Sequence, residues 1–266
     1  STTGGGTTGG GTTGGGTIGG GTTGGGSTGG GGSSSGGGSS SSTRRYDVSA
    51  PSVKHGDVTV DPKNAKAGDT VALVVSDMTR FWMRQDLVVP HLVDYLTERC
   101  GVREEDITIV IANGTHIGGD EQELRTLVTD AVYDRVKVKN HDCEAKDLVY
   151  LGTTPHGTPV SIDRTAAEAD LVVCLGAVTH HVMAGFGGGR ETIFHNLSFS
   201  LDAAQLRSNP AIGNGVLKGN PLHEDMCEAA GLVKNLFIVN LVMNAQMQLA
   251  AILSGHYLTS WEAACR

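Results

Sequence analysis

Residues 71–80 read VALVVSDMTR, an apolar, β-branched run that ends abruptly in an acid, a hydroxyl and a base. A short continuous apolar run of this kind is what a strand buried on both faces of a parallel sheet requires. Two further stretches repeat the pattern. ITIVIANG (107–114) runs out into NGTH (113–116), and LVVCLGAV (171–178) runs out into VTHH (178–181). The intervening segments carry helical signals. Asp86 is placed to cap a helix that begins near Leu87, holds Pro90 in its first turn, turns Leu92, Val93 and Leu96 to one face and stops at Gly101. A polar helix is predicted over 120–132, with shorter ones over 165–170 and 222–230. Short strands are expected over 58–60 and 136–142, a hairpin over 148–162 with Pro155 and Gly157 in its turn, and a strand pair over 236–244 and 248–255. Strands alternating with helices predict the α/β class: an open, mostly parallel, Rossmann-like sheet with helices on both faces.

The first 43 residues stand apart. They repeat TTGGG at a period of five before passing into GGGGSSSGGGSSSS, with no charge and, apart from Ile18, no large apolar side chain. Such a tract cannot bury enough surface to offset roughly 1–2 kcal/mol of backbone entropy per residue. It is predicted to be a disordered Gly/Thr/Ser-rich tail, and residues 44–266 to be the folded domain. The net charge of −8 falls wholly within 44–266 and argues against a nucleic-acid footprint, which needs a basic face. No apolar run reaches the roughly 18 residues of a membrane span. Five widely spaced cysteines without a C-x-x-C read as free thiols, which points to the cytoplasm.

In open α/β sheets ligands bind beyond the carboxyl ends of the strands, and all three buried strands end in polar or ionisable residues. Arg80 offers a planar fork that suits a carboxylate or phosphate; an ordinary surface ion pair is the competing reading. Asp77 can orient that arginine, accept a ligand hydroxyl or cap the local turn. His116, beyond the Asn113-Gly114 turn, is placed for proton transfer or for structural hydrogen bonding. His180 and His181 face opposite sides if the strand continues through them, so one of them at most faces a site. Gly187, Gly188, Gly189 and Arg190 form a bare loop that is neither a Walker A sequence nor a dinucleotide fingerprint. In GNPLHEDM (219–226) the acidic residues suit the first turn of a helix.

The segments SDMTR, ANGTH, HDCEAKDLVYLGTTPHGTPV, HHVMAGFGGGR and LKGNPLHEDM together resemble, in this order and spacing, the amino-terminal domain of the lactate racemase family, the nickel-pincer-nucleotide enzymes. The resemblance covers about residues 50–266. It implies a racemase or epimerase of small 2-hydroxy acids working by proton-coupled hydride transfer to a nickel-pincer nucleotide. His116 and His181 match the acid/base pair, and Arg80 the substrate-binding arginine. Asp77, Gly187, Gly188, Gly189 and Arg190 match the cofactor cradle. It also implies a carboxyl-terminal domain that completes the cleft. WEAACR, at the end of the sequence, reads as an interrupted helix and fits a continuation of that kind.

Two departures accompany the match. The family lysine that tethers the cofactor through a thioamide is replaced by Glu191. No histidine occurs in SFSLDAAQLRSNP (198–210), where the nickel ligand is expected, which leaves His195 as the nearest candidate for the metal. The cofactor is therefore expected to bind, if at all, without the covalent link. The competing readings are a catalytically impaired module that keeps a cofactor or carboxylate pocket, and a mononucleotide-dependent transferase that uses the glycine loop for phosphate.

Overall fold

The structure, a computed structural model, describes residues 65–194 and 210–266 and, as paired strands alone, β1 (Lys54–His55) and β2 (Val58–Thr59). All of these lie within the compact unit Arg44–Arg266. The three apolar runs form the centre of one sheet as β3 (Val71–Ser76), β4 (Ile107–Ala112) and β8 (Leu171–Val178). With β5 (Lys137–Asn140), β11 (Leu236–Met243) and β12 (Leu249–His256) they make a six-stranded sheet in the order β12-β11-β8-β3-β4-β5. Every pairing is parallel except that of β12 with β11. The chain runs outward from β3 through β4 to β5, then returns to the other side of β3 as β8. The strand order thus reverses between β3 and β8, and their carboxyl ends diverge to leave a crevice at that point.

Period-two burial divides β3 between two cores. Val71, Leu73 and Val75 pack against Val89 and Val93 of α1 (Val89–Asp94), Leu124 and Leu127 of α2 (Glu121–Val128), and Val132 of α3 (Asp130–Tyr133). Ala72 and Val74 face Ala166 of α4 (Arg164–Glu168) and Ile193 of α5 (Gly189–Phe194). The same core takes in Ala229 and Ala230 of α6 (Pro221–Gly231) and Trp261 of α7 (Thr259–Ala264). Helices on both faces are what the buried runs predict. Among the described residues no helix is long and apolar enough to cross a membrane, and no disulfide links the cysteines.

Two local expectations need correction. Asp86 caps no helix: it forms an ion pair with Arg84 at 2.8 Å, and α1 begins after Val88 with no side-chain cap. The stretch 77–87 is spent instead on two short 3₁₀ turns, Met78–Met83 and Gln85–Leu87, separated by Arg84 at φ 56°. The single helix expected over 120–132 is broken at Thr129 (φ 76°) into α2 and α3, although Asp120 caps it as its residue type suggests, accepting from the amide of Glu123. Gly101 does end the α1 segment in the left-handed conformation (φ 73°).

The hairpin of β6 (Val149–Thr153) and β7 (Pro159–Ile162) forms as its sequence predicts. Its turn is tied to α6 by Asp225, whose carboxylate accepts from the hydroxyls of Thr154 (2.5 Å) and Thr158 (2.7 Å). All three side chains are buried, so each hydroxyl depends on that carboxylate. Asp225 is therefore a tertiary clamp rather than a simple helix-dipole residue. Asp225→Ala is expected to lower stability by about 1–3 kcal/mol through the orphaned hydroxyls, measured as a lower urea midpoint with an unchanged slope.

Candidate active site

At the carboxyl end of β3, Gln85 fixes where the chain turns. Its side chain is wholly buried, accepts from the amide of Ser76 (3.2 Å) and donates to the Ser76 carbonyl (2.9 Å). Asp77 then caps the first 3₁₀ turn, accepting on Oδ1 from the amide (3.1 Å) and hydroxyl (2.6 Å) of Thr79. Its Oδ2 lies 2.5 Å from Nδ1 of His116, which stands beyond the end of β4 with 46% of its side chain exposed. A carboxylate can only accept, so Nδ1 of His116 carries a proton, and in the neutral ring its Nε2 presents a lone pair. Arg80 donates to Thr79 Oγ1 (2.6 Å), lies 4.0 Å from Asp77 Oδ1, and lines a cleft.

That cleft, about 430 Å³ including the part open to solvent, sits in the crevice between β3 and β8. Ser76, Arg80 and Trp82 wall one side, and His181, Gly187, Gly188 and Glu191 wall the other. Here β8 gives way to a tight hairpin of β9 (His180–His181) and β10 (Gly185–Phe186). The two histidines point oppositely, as strand alternation predicts. His180 packs on the ring of Phe186, with centroids 4.7 Å apart, while His181 faces the cleft. Nδ1 of His181 accepts from the amides of Met183 (3.2 Å) and Ala184 (3.0 Å), and its Nε2 lies 3.3 Å from Glu191 Oε1.

The glycine loop is bare because the protein itself occupies the space. A Cβ on Gly188 would lie 2.6 Å from Trp261 Cδ1, one on Gly176 would lie 2.6 Å from the Gly188 carbonyl carbon, and one on Gly189 would meet Ile238. At Gly187 the space is filled by Glu191, whose Oε2 would be 2.7 Å from a Cβ. The amide of Gly189 donates to Asn240 Oδ1 (3.1 Å), which pins the start of α5 to β11.

Successive helical residues diverge by about 100°, so Arg190 and Glu191 take opposite sides of α5. Glu191 reaches the cleft. Arg190 is wholly buried, with its guanidinium 3.8 Å over the Trp261 ring, donating to the Phe186 carbonyl (3.0 Å) and contacting Met226 Sδ (3.5 Å). Burial lowers its pKa despite the thiols of Cys227 and Cys265 and the carboxylate of Glu191. Arg190, expected in a cofactor cradle, is thus turned into the core. The structure brings Arg80, His181, Gly187, Gly188 and Glu191 together in one cleft. It sets the Asp77–His116 pair beside Arg80 and leaves Gly189 and Arg190 in packing roles. His195 lies outside the described residues. Among the described residues no three His, Cys, Asp or Glu side chains gather as a metal site.

Residues 61–201 match the family model described as the lactate racemase N-terminal domain. The chain is 28% identical to a lactate racemase of Thermoanaerobacterium thermosaccharolyticum, over 72% of this chain and 46% of that protein. It is 25% identical to a lactate racemase of Lactiplantibacillus plantarum, over 76% and 48%. The solved lactate racemase apoprotein from T. thermosaccharolyticum superposes with a TM-score of 0.72 at 27% identity, covering 82% of this chain and 52% of that one. A crystal structure of a Thermotoga maritima protein shares the fold, with a TM-score of 0.62 at 22% identity. The chain spans about half the length of the curated relatives it matches.

Gln85, Asn240 and Trp261 escape the sequence reading of the site. Only Trp261, a lone aromatic in the small-residue helix TSWEAA, carries a signal that it is core. Around it the buried charge of Arg190 has a measurable consequence. His223 stacks on Trp261 with ring centroids 5.2 Å apart. Burial, together with the Arg190 charge, lowers its pKa from 6.5 to about 4 against the opposing pull of Glu224. The unfolded chain therefore binds a proton at His223 that the folded chain refuses between those values. Stability is expected to fall as pH drops from about 6.5 to about 4 and to be recovered above that window. His223→Gln should flatten this part of the dependence, measured as urea midpoints at about pH 4.5 and pH 7.

Proposed function

The chain belongs to the lactate racemase N-terminal domain family, and from that premise we propose that it forms the catalytic cleft of a cytoplasmic 2-hydroxy-acid racemase or epimerase. The observation that carries this reading is the gathering of Arg80, His181 and Glu191 in one crevice at the sheet's reversal point, with the Asp77–His116 pair beside Arg80. The Arg80 fork takes the carboxylate of a small 2-hydroxy acid. His116, its Nε2 lone pair set by Asp77, accepts the hydroxyl proton from one side. The His181–Glu191 pair handles that proton from the other, so that both enantiomers have a group to receive it. A second α/β domain, in the half of the relatives that this chain does not match, closes the cleft and excludes water.

The family resemblance implies a nickel-pincer nucleotide tethered to a lysine, which would supply the acceptor for the C2 hydrogen. The residues here do not fit that tethered form. Glu191 stands where the tethering lysine would be and cannot form a thioamide. Its carboxylate also lies over Gly187, in the space a close-lying ring would need. The proton chemistry proposed above rests on this chain's own side chains, and the acceptor that the C2 hydrogen needs would be supplied by the same cofactor held without the covalent link. The same observation favours a second reading, a module that binds 2-hydroxy acids or an untethered cofactor without turning substrate over.

The full-length protein, prepared with nickel and cofactor, is expected to erase the optical rotation of either enantiomer of lactate or of a larger 2-hydroxy acid. His116→Ala should lower kcat/KM by about 100-fold or more, and Arg80→Lys should act chiefly on KM by replacing a two-pronged contact with a point charge. Undiminished turnover in His116→Ala would overturn its assignment. Retained binding with stable optical rotation would select the second reading.

A further inference from the structure

The two histidines of the site are wired in opposite senses. His116 meets a carboxylate at Nδ1 and, as a neutral ring, offers a lone pair at Nε2. His181 meets two backbone amides at Nδ1, from Met183 and Ala184, and neither can give up its proton. Nδ1 of His181 must be the acceptor, which places the ring proton on Nε2, the atom 3.3 Å from Glu191 Oε1. A lone pair at Nε2 would require a proton on Nδ1, facing the two amide protons. His181 in this loop is thus a neutral donor, built to hold a carboxylate rather than to take a proton.

We infer that Glu191 is the group on the α5 side of the cleft that accepts the hydroxyl of the bound acid, with His181 as the positioning residue that holds its carboxylate. This rests on the 2-hydroxy-acid reading of the cleft. Glu191 lines the cleft together with Arg80, its side chain is 13% exposed, and its Oε2 lies against the bare backbone of Gly187. An ionised carboxylate accepts about four hydrogen bonds, so a carboxylate with partners in the protein can still accept one more from a ligand hydroxyl. Arg80 then reads the carboxylate that every such acid has, while Glu191 reads the hydroxyl. It discriminates against a 2-keto acid, whose carbonyl oxygen it repels, and against an acid with no hydroxyl at C2, which has nothing to donate. The residue that removes the cofactor's anchor thereby becomes the specificity determinant for the hydroxyl.

Two measurements on the full chain test this. The first is ¹⁵N NMR of histidine-labelled protein at about pH 8, where imidazoles are neutral, with His116→Gln and His181→Gln used to assign the rings. Expected is a proton on Nε2 of His181 and on Nδ1 of His116; a proton on Nδ1 of His181 overturns the inference. The second is titration with lactate, pyruvate and propionate, followed by amide shifts around Arg80 and Glu191. Lactate should bind at least about tenfold more tightly than the other two, the effect of one hydrogen bond to a charged group. Glu191→Leu should bring that ratio close to one, and Glu191→Gln, which keeps an acceptor oxygen, should retain part of it. Lactate and propionate binding alike in the unaltered chain overturns the role given to Glu191. No response to any of the three acids instead overturns the 2-hydroxy-acid reading, independently of the tautomers.

Discussion

The indole of Trp261 donates to the Gly187 carbonyl at 2.6 Å, fills the space beside Gly188 and carries the Arg190 guanidinium on its face. These contacts, together with the close approach of Gly188 to Gly176 on β8, leave the loop one path across the end of the sheet. The path sets where α5 begins, and the start of α5 decides that Glu191 reaches the cleft while Arg190 enters the core. A buried guanidinium with no carboxylate bonded to it is costly. The aromatic face, the Phe186 carbonyl and the Met226 sulfur offset part of that cost. Arg190 is in this sense a cationic part of the scaffold beneath the site, and its charge is felt by His223.

Above that scaffold the site is built from three strand ends whose side chains were already oriented by local backbone chemistry. Gln85 closes the turn after β3 by bonding both backbone groups of Ser76. Asp77 is shared between a turn and a histidine, which spends one carboxylate oxygen on folding and the other on His116. The β9–β10 hairpin turns two amides onto His181. Each device satisfies polar groups that would otherwise be stranded near the core. Each also chooses the chemical state of the residue it touches. The resulting asymmetry between His116 and His181 arises from a tertiary contact at the first and hairpin amides at the second, and needs no bound ligand to set it.

Fold and chemistry are separable at Glu191. The family match, the superposition with a lactate racemase apoprotein and the retained cleft all concern the scaffold. Glu191 decides what the cleft attracts, because a carboxylate repels anions and holds hydrogen-bond donors. A site is carried on a fold and can be rewritten by one side chain while every strand stays in place.

Much of the fold was legible from residues 71–178 alone, since the length and continuity of an apolar run are local properties that report burial on both sheet faces. The strand-end rule also singled out Arg80, Asp77, His116 and His181. The α1 segment and the break at Thr129 were less legible, because side-chain type does not reveal a residue forced to positive φ by its surroundings. What the sequence determined by itself was the class of sheet and the chemical types gathered at its carboxyl edge. Only the tertiary structure decided which partner each of them meets: Asp77 with His116 across 39 positions, Trp261 with Gly187 across 74, and Glu191 rather than Arg190 turned to the cleft. The reason is physical. Burial and periodicity are written into consecutive residues, whereas a tautomer, a buried charge and a filled glycine cradle depend on atoms that chain folding alone brings into contact.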